Sequence, residues 1–338
     1  MHRIIAGFVL LLCLGIPSLH AEPLKVGFIV PLTASSSLMG ESLVGVVKLA
    51  ELQNVSVQFE DDRCEGKNAL SAYFKLRSQG VHVFYLACSG SILAVAPHAK
   101  QNGDLILTTY AGSSRIRETG DEVIRLNPDA VSVAEGLVPL LAPNMLPTVV
   151  LYEEQEYADS LARRLAELLG TKMAEMISYR PDASSFSAEI LKIKQKKPKS
   201  IVLIPVSDSA ARVIFRQLAQ HGIEVPIIGE VNFCDYPFKP SEHGLHGRCV
   251  SAKFQGQAYD DFLSRYASIV GHAPAYPFYD AMALDLLLEL DRAAVQDASV
   301  AKIKSTLLAG FQGKFARYQL SPSGEAQNAG EYLAKVEF

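Results

Sequence analysis

Val81-His82-Val83-Phe84-Tyr85-Leu86-Ala87 runs straight into Cys88-Ser89-Gly90-Ser91, and after a helical interval Leu105-Ile106-Leu107-Thr108-Thr109 runs into Tyr110-Ala111-Gly112-Ser113-Ser114. Each is a short apolar run, the length of one strand, closed by a loop of small residues. In an open α/β sheet, ligands bind outside the carboxyl ends of the strands. Two serine/glycine loops at two such ends therefore form the first candidate site, and the remaining chain reads as its support and its lid.

Working outward, the same alternation continues in both directions. Leu24 to Val30 reads as a buried strand ended by Pro31, followed by a serine-rich loop and a helix from Gly40 to about Leu52. Val55 to Glu60 is a strand, Asn68 to Gln79 a helix with Gly80 as its C-cap, and Ile92 to Asn102 a helix capped by Gly103. A short strand, Glu122 to Leu126, ends at Asn127-Pro128. A second cycle follows: helix 131–141, strand 147–152, helix 156–169, strand 173–179, helix 184–194, strand 200–205, helix 209–221 and strand 225–229. Gly247 to Phe254 reads as a strand running back toward the first half. Helices 257–270, 277–294 and 300–308 and strands 315–320 and 331–338 complete the chain. Two α/β cycles in tandem, with parallel right-handed crossovers, predict two lobes of like architecture.

The 338 residues are enough for two domains. A net charge of −4 and the absence of a basic stripe argue against a nucleic-acid partner; the five lysines between Lys192 and Lys199 read as a solvated helix end. Arg3, the apolar run Ile4 to Ile16 and Pro17-Ser18-Leu19-His20-Ala21 have the form of a cleaved signal peptide, residues 1–21. Export leaves Cys64, Cys88, Cys234 and Cys249, which read as disulfides before metal ligands because no Cys-x-x-Cys pair is present. Three pairings are open. The sequential one, Cys64 with Cys88 and Cys234 with Cys249, is favoured, since neighbouring parallel strands would bring the first two together.

No phosphate loop, dinucleotide fingerprint, nucleophile elbow or His-Glu-x-x-His is present, and the eight histidines are scattered. Neither a catalytic group, a metal nor a cofactor is expected. Asp61-Asp62 point to opposite faces of a strand end and read as loop hydrogen-bonding groups. Ser89-Gly90-Ser91 stands at a helix start, where partial positive charge favours an anion such as a carboxylate.

Taken in order, several stretches resemble the type 1 periplasmic binding proteins, specifically the branched-chain amino-acid-binding group. They are Lys25 to Pro31, Glu60-Asp61-Asp62-Arg63-Cys64, Cys88-Ser89-Gly90-Ser91, Ala94-Val95-Ala96-Pro97 to Asn102-Gly103, Glu153-Glu154-Gln155-Glu156-Tyr157 with Leu161-Ala162, and Tyr279-Asp280-Ala281. The resemblance implies two Rossmann-like lobes joined by three hinge crossovers, residues 24–126 plus 251–328 and residues 127–250 plus 329–338. It also implies a Cys64–Cys88 disulfide. Ser89 and Gly90 fall where the family binds a ligand α-carboxylate, and Ser113 where it uses a threonine hydroxyl. Gly112 falls where a carbonyl accepts from the ammonium group, Tyr157 on the second-lobe tyrosine, and Glu230 at or beside the acid that pairs with the ammonium.

Two positions depart from the pattern. Met39 stands near a position often aromatic, and Asp208 lies where aliphatic-binding members often carry tyrosine; Asp208 also reads as the N-cap of the following helix. Asp208 would make the side-chain pocket more polar or acidic, so the resemblance implies an amino-acid-like ligand without fixing a branched-chain one. The function implied is a monomeric, periplasmic solute-binding protein that hands a small polar ligand (an amino acid or related carboxylate or amide) to an ABC permease. A periplasmic sensor of the same fold and an exported enzyme are the alternatives.

Overall fold

The computed structural model describes residues 22–231, 233 and 238–337. The signal-peptide stretch, Cys234 and Phe338 lie outside the described residues.

The first sheet contains β1 (Leu24–Val30), β2 (Val55–Asp61), β3 (Val83–Leu86), β4 (Leu105–Thr108) and β5 (Val123–Arg125), in the order β2-β1-β3-β4-β5. All of its neighbours are parallel. The second sheet contains β6 (Thr148–Glu153), β7 (Met173–Tyr179), β8 (Ser200–Ile204), β9 (Ile227–Gly229) and β10 (Gly247–Ala252). Its order, β7-β6-β8-β9-β10, repeats the first. β11 (Phe311–Gln312) and β12 (Arg317–Tyr318) form a small hairpin, and β13 (Leu333–Glu337) lies antiparallel on the outer edge of β10. In each sheet the strand order reverses beside the first strand, between β1 and β3 and between β6 and β8. These switch points are where doubly wound sheets open a crevice.

The strands form because their side chains are apolar on both faces. β1, β3, β4 and β8 are buried along nearly their whole length, as parallel strands covered by helices must be. α1 (Ser37–Ala50), α2 (Gly66–Ser78) and α3 (Ser89–Asn102) serve the first sheet. α4 (Ala130–Leu137), α5 (Glu156–Leu169), α6 (Ser187–Lys196) and α7 (Asp208–Gln220) serve the second. α5 buries Ala158, Leu161, Ala162, Leu165 and Leu169, keeps Glu156 and Asp159 in its first turn, and stops at Gly170. α8 (Gln257–Val270) and α9 (Pro277–Gln296) return to pack on α1, and α10 (Val300–Leu308) packs on α9. Asp291 fixes that return by accepting from the backbone N–H groups of Gln53, Asn54 and Val55. No helix among the described residues is long and apolar enough to cross a membrane.

Several boundaries differ from the sequence reading, each for a local reason. The helix expected over 131–141 ends at Leu137 and tightens into a 3-10 turn, because Pro139 has no N–H to continue it. The strand expected from Val225 starts at Ile227, after Pro226. The strand expected over 315–320 shrinks to Arg317–Tyr318, since the Lys314 and Phe315 N–H groups turn aside to the buried Asp285 carboxylate. The run 247–254 does not leave its lobe as a strand: β10 is a member of the second sheet, between β9 and β13.

Candidate functional site

The first wall of the cleft is the crevice between β1 and β3. Cys88 is the extended N-cap residue of α3, so the helix starts at Ser89, earlier than its apolar spacing indicates. Cys64 and Cys88 form a disulfide with their Cα atoms 5.4 Å apart. The expected reason for that pairing was wrong: β2 and β3 are not neighbours, since β1 lies between them. A tight turn with left-handed Arg63 and Cys64 carries the chain across instead. Asp61 and Asp62 have the loop role read for them. Asp61 accepts from the N–H groups of Leu32 and Arg63, and buried Asp62 accepts from Cys64 N–H at 2.9 Å and Ser91 Oγ at 2.6 Å. Ser91 is thereby committed to the scaffold.

Ser89 and Ser113 are both buried and joined: Ser113 N–H donates to Ser89 Oγ at 3.1 Å. The Ser113 hydroxyl donates to Glu156 Oε1 at 2.9 Å, across the cleft. The Gly112 carbonyl, expected to face an ammonium group, accepts from Ala130 N–H at 2.7 Å. A Cβ at Gly112 would lie 2.6 Å from two carbons of the Tyr157 ring, so glycine is what lets the two walls meet here.

The second wall is the end of β6, β8 and β9. Tyr157, second residue of α5, donates its hydroxyl to Glu230 Oε2 at 3.1 Å. Burial, reinforced by the Glu230 charge, holds that hydroxyl's pKa well above the ordinary tyrosine range. Glu230 follows β9, is fully buried, and accepts from Phe233 N–H through Oε1 at 3.1 Å.

Met39 is buried on α1 and lines the cleft cavity with Cys64, Cys88, Ser89, Gly90, Tyr110, Glu156, Tyr157 and Val206. The walls stand so close that this cavity holds about 30 Å³, room for roughly one water molecule. Of the residues singled out from sequence, Met39, Ser89, Gly90 and Tyr157 line it, and Gly112, Ser113 and Glu230 reach it through contacts with Tyr157, Ser89 and Glu156. Asp208 does not line it. Nor is Asp208 the N-cap of α7; Ser207 is, and Asp208 sits in the first turn. One Asp208 carboxylate oxygen is buried with no hydrogen-bond partner. Burial pushes its pKa up to about 6, with Glu41 and Glu153 adding and Arg212 opposing.

Sequence reasoning missed three organising residues. Glu153, fully buried at the end of β6, accepts from the N–H groups of Val206 and Ser207 at 3.1 and 2.9 Å and from the Ser207 hydroxyl. It thus shapes the β8 loop facing the first lobe. An acid closing an apolar strand was the visible signal. Arg125 donates to the Ser113 carbonyl at 2.6 Å and holds that loop from behind. Tyr110, beside the cavity, donates to Asp280 Oδ1 at 2.5 Å, while Ser42 Oγ donates to Oδ2 at 2.5 Å.

Asp280 is wholly buried, and that burial pushes its pKa up to about 7, against the pull of Ser42 and Tyr110. The folded chain therefore keeps a proton that the unfolded chain has released. Stability due to this group is full below about pH 4 and is lost as pH rises through about 7. Urea unfolding of Asp280→Asn across that window should give a flatter pH profile than wild type. Parallel profiles would show that Asp280 does not titrate there.

Two doubly wound lobes of matching strand order, meeting crevice to crevice, define a type 1 periplasmic binding protein. The chain belongs to the periplasmic binding protein family, whose sequence profile matches residues 23–310. No curated protein sequence matches it. Among solved structures it is similar to LivJ, the branched-chain amino-acid transporter substrate-binding protein of Streptococcus pneumoniae, in complex with isoleucine. The TM-score is 0.78 at 19% identity, over 94% of this chain and 100% of that one. It is also similar to an ABC-transporter solute-binding protein from Rhodopseudomonas palustris in complex with 3,4-dihydroxybenzoic acid. There the TM-score is 0.77 at 16% identity, over 90% of each chain. The leucine-binding protein LivK of Thermotoga maritima gives 0.76 at 20% identity, over 90% of this chain and 93% of that one. These likenesses carry the fold of ABC-transporter substrate-binding proteins; the ligands in the solved structures differ.

Proposed function

We propose that this is an exported solute-binding protein that captures a small amino-acid-like ligand between its lobes and delivers it to an ABC permease. The observation that carries this reading is the pairing of the two walls. Buried serine hydroxyls and the start of α3 face, across one cleft, a tyrosine hydrogen-bonded to a buried carboxylate. The first set suits a carboxylate and the second a cation. Isoleucine and 3,4-dihydroxybenzoic acid, bound by the similar structures, both carry a carboxylate.

In this reading Ser89, Gly90 and Ser113 hold the ligand carboxylate and Glu230 its ammonium group. Tyr157 packs from the second lobe, and the Gly112 carbonyl offers its second lone pair. Met39 bounds the side-chain end, and the acidic Asp208, in the first turn of α7, favours a ligand with donors. Lobes of residues 24–126 plus 253–328 and 127–252 plus 329–338, with β10 wholly in the second, close by hinge motion around the bound solute. The working protein is a monomer in the periplasm and performs no chemistry.

A thermal-shift screen of amino acids, amides and small carboxylates should identify the ligand class. With that ligand, Ser89→Ala and Glu230→Ala should each weaken binding by ~1–3 kcal/mol in calorimetry. If neither variant loses affinity, the site lies elsewhere.

A further inference from the structure

We propose that Glu156 is a built-in competitor for the ligand carboxylate, a latch that the ligand must displace to enter. The inference rests on the carboxylate reading of Ser89 and Ser113 given above. Glu156 belongs to α5, on the second-lobe side, yet its carboxylate sits on the first wall. Oε1 accepts from the Ser113 hydroxyl at 2.9 Å, and Oε2 accepts from Arg115 Nη1 at 3.0 Å. Its side chain also lies over the start of α3, where a Cβ placed on Gly90 would be 3.9 Å from Glu156 Cβ. Glu156 thus covers the same group of donors that a ligand carboxylate would use.

The two carboxylates exclude each other for two reasons. A serine hydroxyl has a single proton to donate, so Ser113 serves one acceptor at a time. Two carboxylates sharing one site also repel, which disfavours both being charged there together. The contact differs from an ordinary surface ion pair. Ser113 is fully buried, and the Glu156 side chain is 20% exposed against 63% for Arg115. It is flanked by a second interlobe bond between Ser114 Oγ and Ser160 Oγ at 2.9 Å and by the Tyr157 ring against Gly112. With about 30 Å³ between the walls, an amino acid is admitted only when this seam parts. The ligand then gains the Ser113 hydroxyl at the moment Glu156 gives it up.

The test has two arms on the full mature protein, stripped of bound solute by unfolding and refolding. In the first, small-angle scattering without any added ligand compares wild type with Glu156→Ala and Arg115→Ala. Glu156→Ala should increase the radius of gyration toward an open form, and Arg115→Ala should do so less. Far-UV circular dichroism checks that both remain folded. In the second, L-leucine and benzoate serve as carboxylate probes, with L-leucinamide and benzamide as uncharged counterparts. Removing the competitor should tighten binding of the carboxylate probes about tenfold, the worth of one charge-assisted hydrogen bond, and leave the amides unchanged. Unchanged scattering in Glu156→Ala overturns the latch whatever the ligand proves to be. Weaker carboxylate binding in Glu156→Ala also overturns it, because Glu156 would then be a ligand contact. If the variant opens but the amides bind both proteins and neither carboxylate does, the carboxylate reading falls and the competition with it, leaving Glu156 as a lobe-to-lobe contact only.

Discussion

Replacing Arg125 with methionine will cost the protein about 3–5 kcal/mol of stability, the usual penalty for removing one partner of a buried ion pair. Arg125 ends β5 and is wholly buried. Its Nε and Nη2 donate to Glu325 Oε2 at 2.9 and 2.6 Å, and its Nη1 donates to the Ser113 carbonyl at 2.6 Å. Nη2 also lies 3.6 Å from Asp129, a residue almost wholly buried itself. Methionine fills similar space but leaves the Glu325 carboxylate and the Ser113 carbonyl without this donor, while Asp129 keeps its ion pair with Arg117. The backbone reinforces the same junction: Arg125 N–H donates to the Gly324 carbonyl, and Ala326 N–H donates to the Arg125 carbonyl. Lysine should not rescue the loss, since one ammonium cannot reproduce a fork that serves Glu325 and Ser113 together. Urea unfolding of the two variants measures both points. A loss below about 1 kcal/mol, the range of exposed pairs, would show that Arg125 is not the clamp between β5 and the returning chain.

The second large effect is expected at the disulfide. Changing both Cys64 and Cys88 to serine should lower stability by about 3 kcal/mol in the chain-entropy account of a loop this long; the separation is 24 residues. Both cysteines line the cleft cavity, and Cys88 is also the N-cap residue from which α3 and Ser89 start. Loss of stability should therefore come with weaker ligand binding. Reductant should bring the wild-type protein to the same melting temperature as the double variant. If reduction leaves the melting temperature unchanged, the bridge contributes nothing to the fold.

Elements with a clear local pattern were legible in the sequence. The helix from Glu156 to Leu169 has an apolar stripe on one side, acids in its first turn and a glycine after it, and its bounds agree with the structure. β7, with Met173 and Tyr179 as its ends, was equally plain. The small hairpin near Tyr318 was misread, because what turns the chain there is Asp285, 29 and 30 residues away from the N–H groups it accepts. The same distance in sequence hid Arg125 from Glu325, Tyr110 from Asp280 and Glu153 from Ser207, at separations of 200, 170 and 54. Apolar period reports which face of an element is buried; it says nothing of which polar group another element brings to it. The serine/glycine loops were found because their chemistry is written in consecutive residues. Glu156 stood in the quoted run Glu153 to Tyr157 and at a helix start, but nothing in that run showed that its carboxylate would reach Ser113 and Arg115.

The late return of α8 and α9 onto α1 sets an order of assembly. During synthesis, β6 to β10 emerge as one uninterrupted stretch, from Thr148 to Ala252, and can pair as they appear. The earlier sheet must wait. The cover for its α1, and the Asp291 carboxylate that receives Gln53, Asn54 and Val55 across 236 to 238 residues, come only when most of the chain has been made. Contacts at such separation are slow to form. The sheet translated first thus stays open at α1 until α8 and α9 have been made, and of the second sheet only the edge strand β13 is added later still.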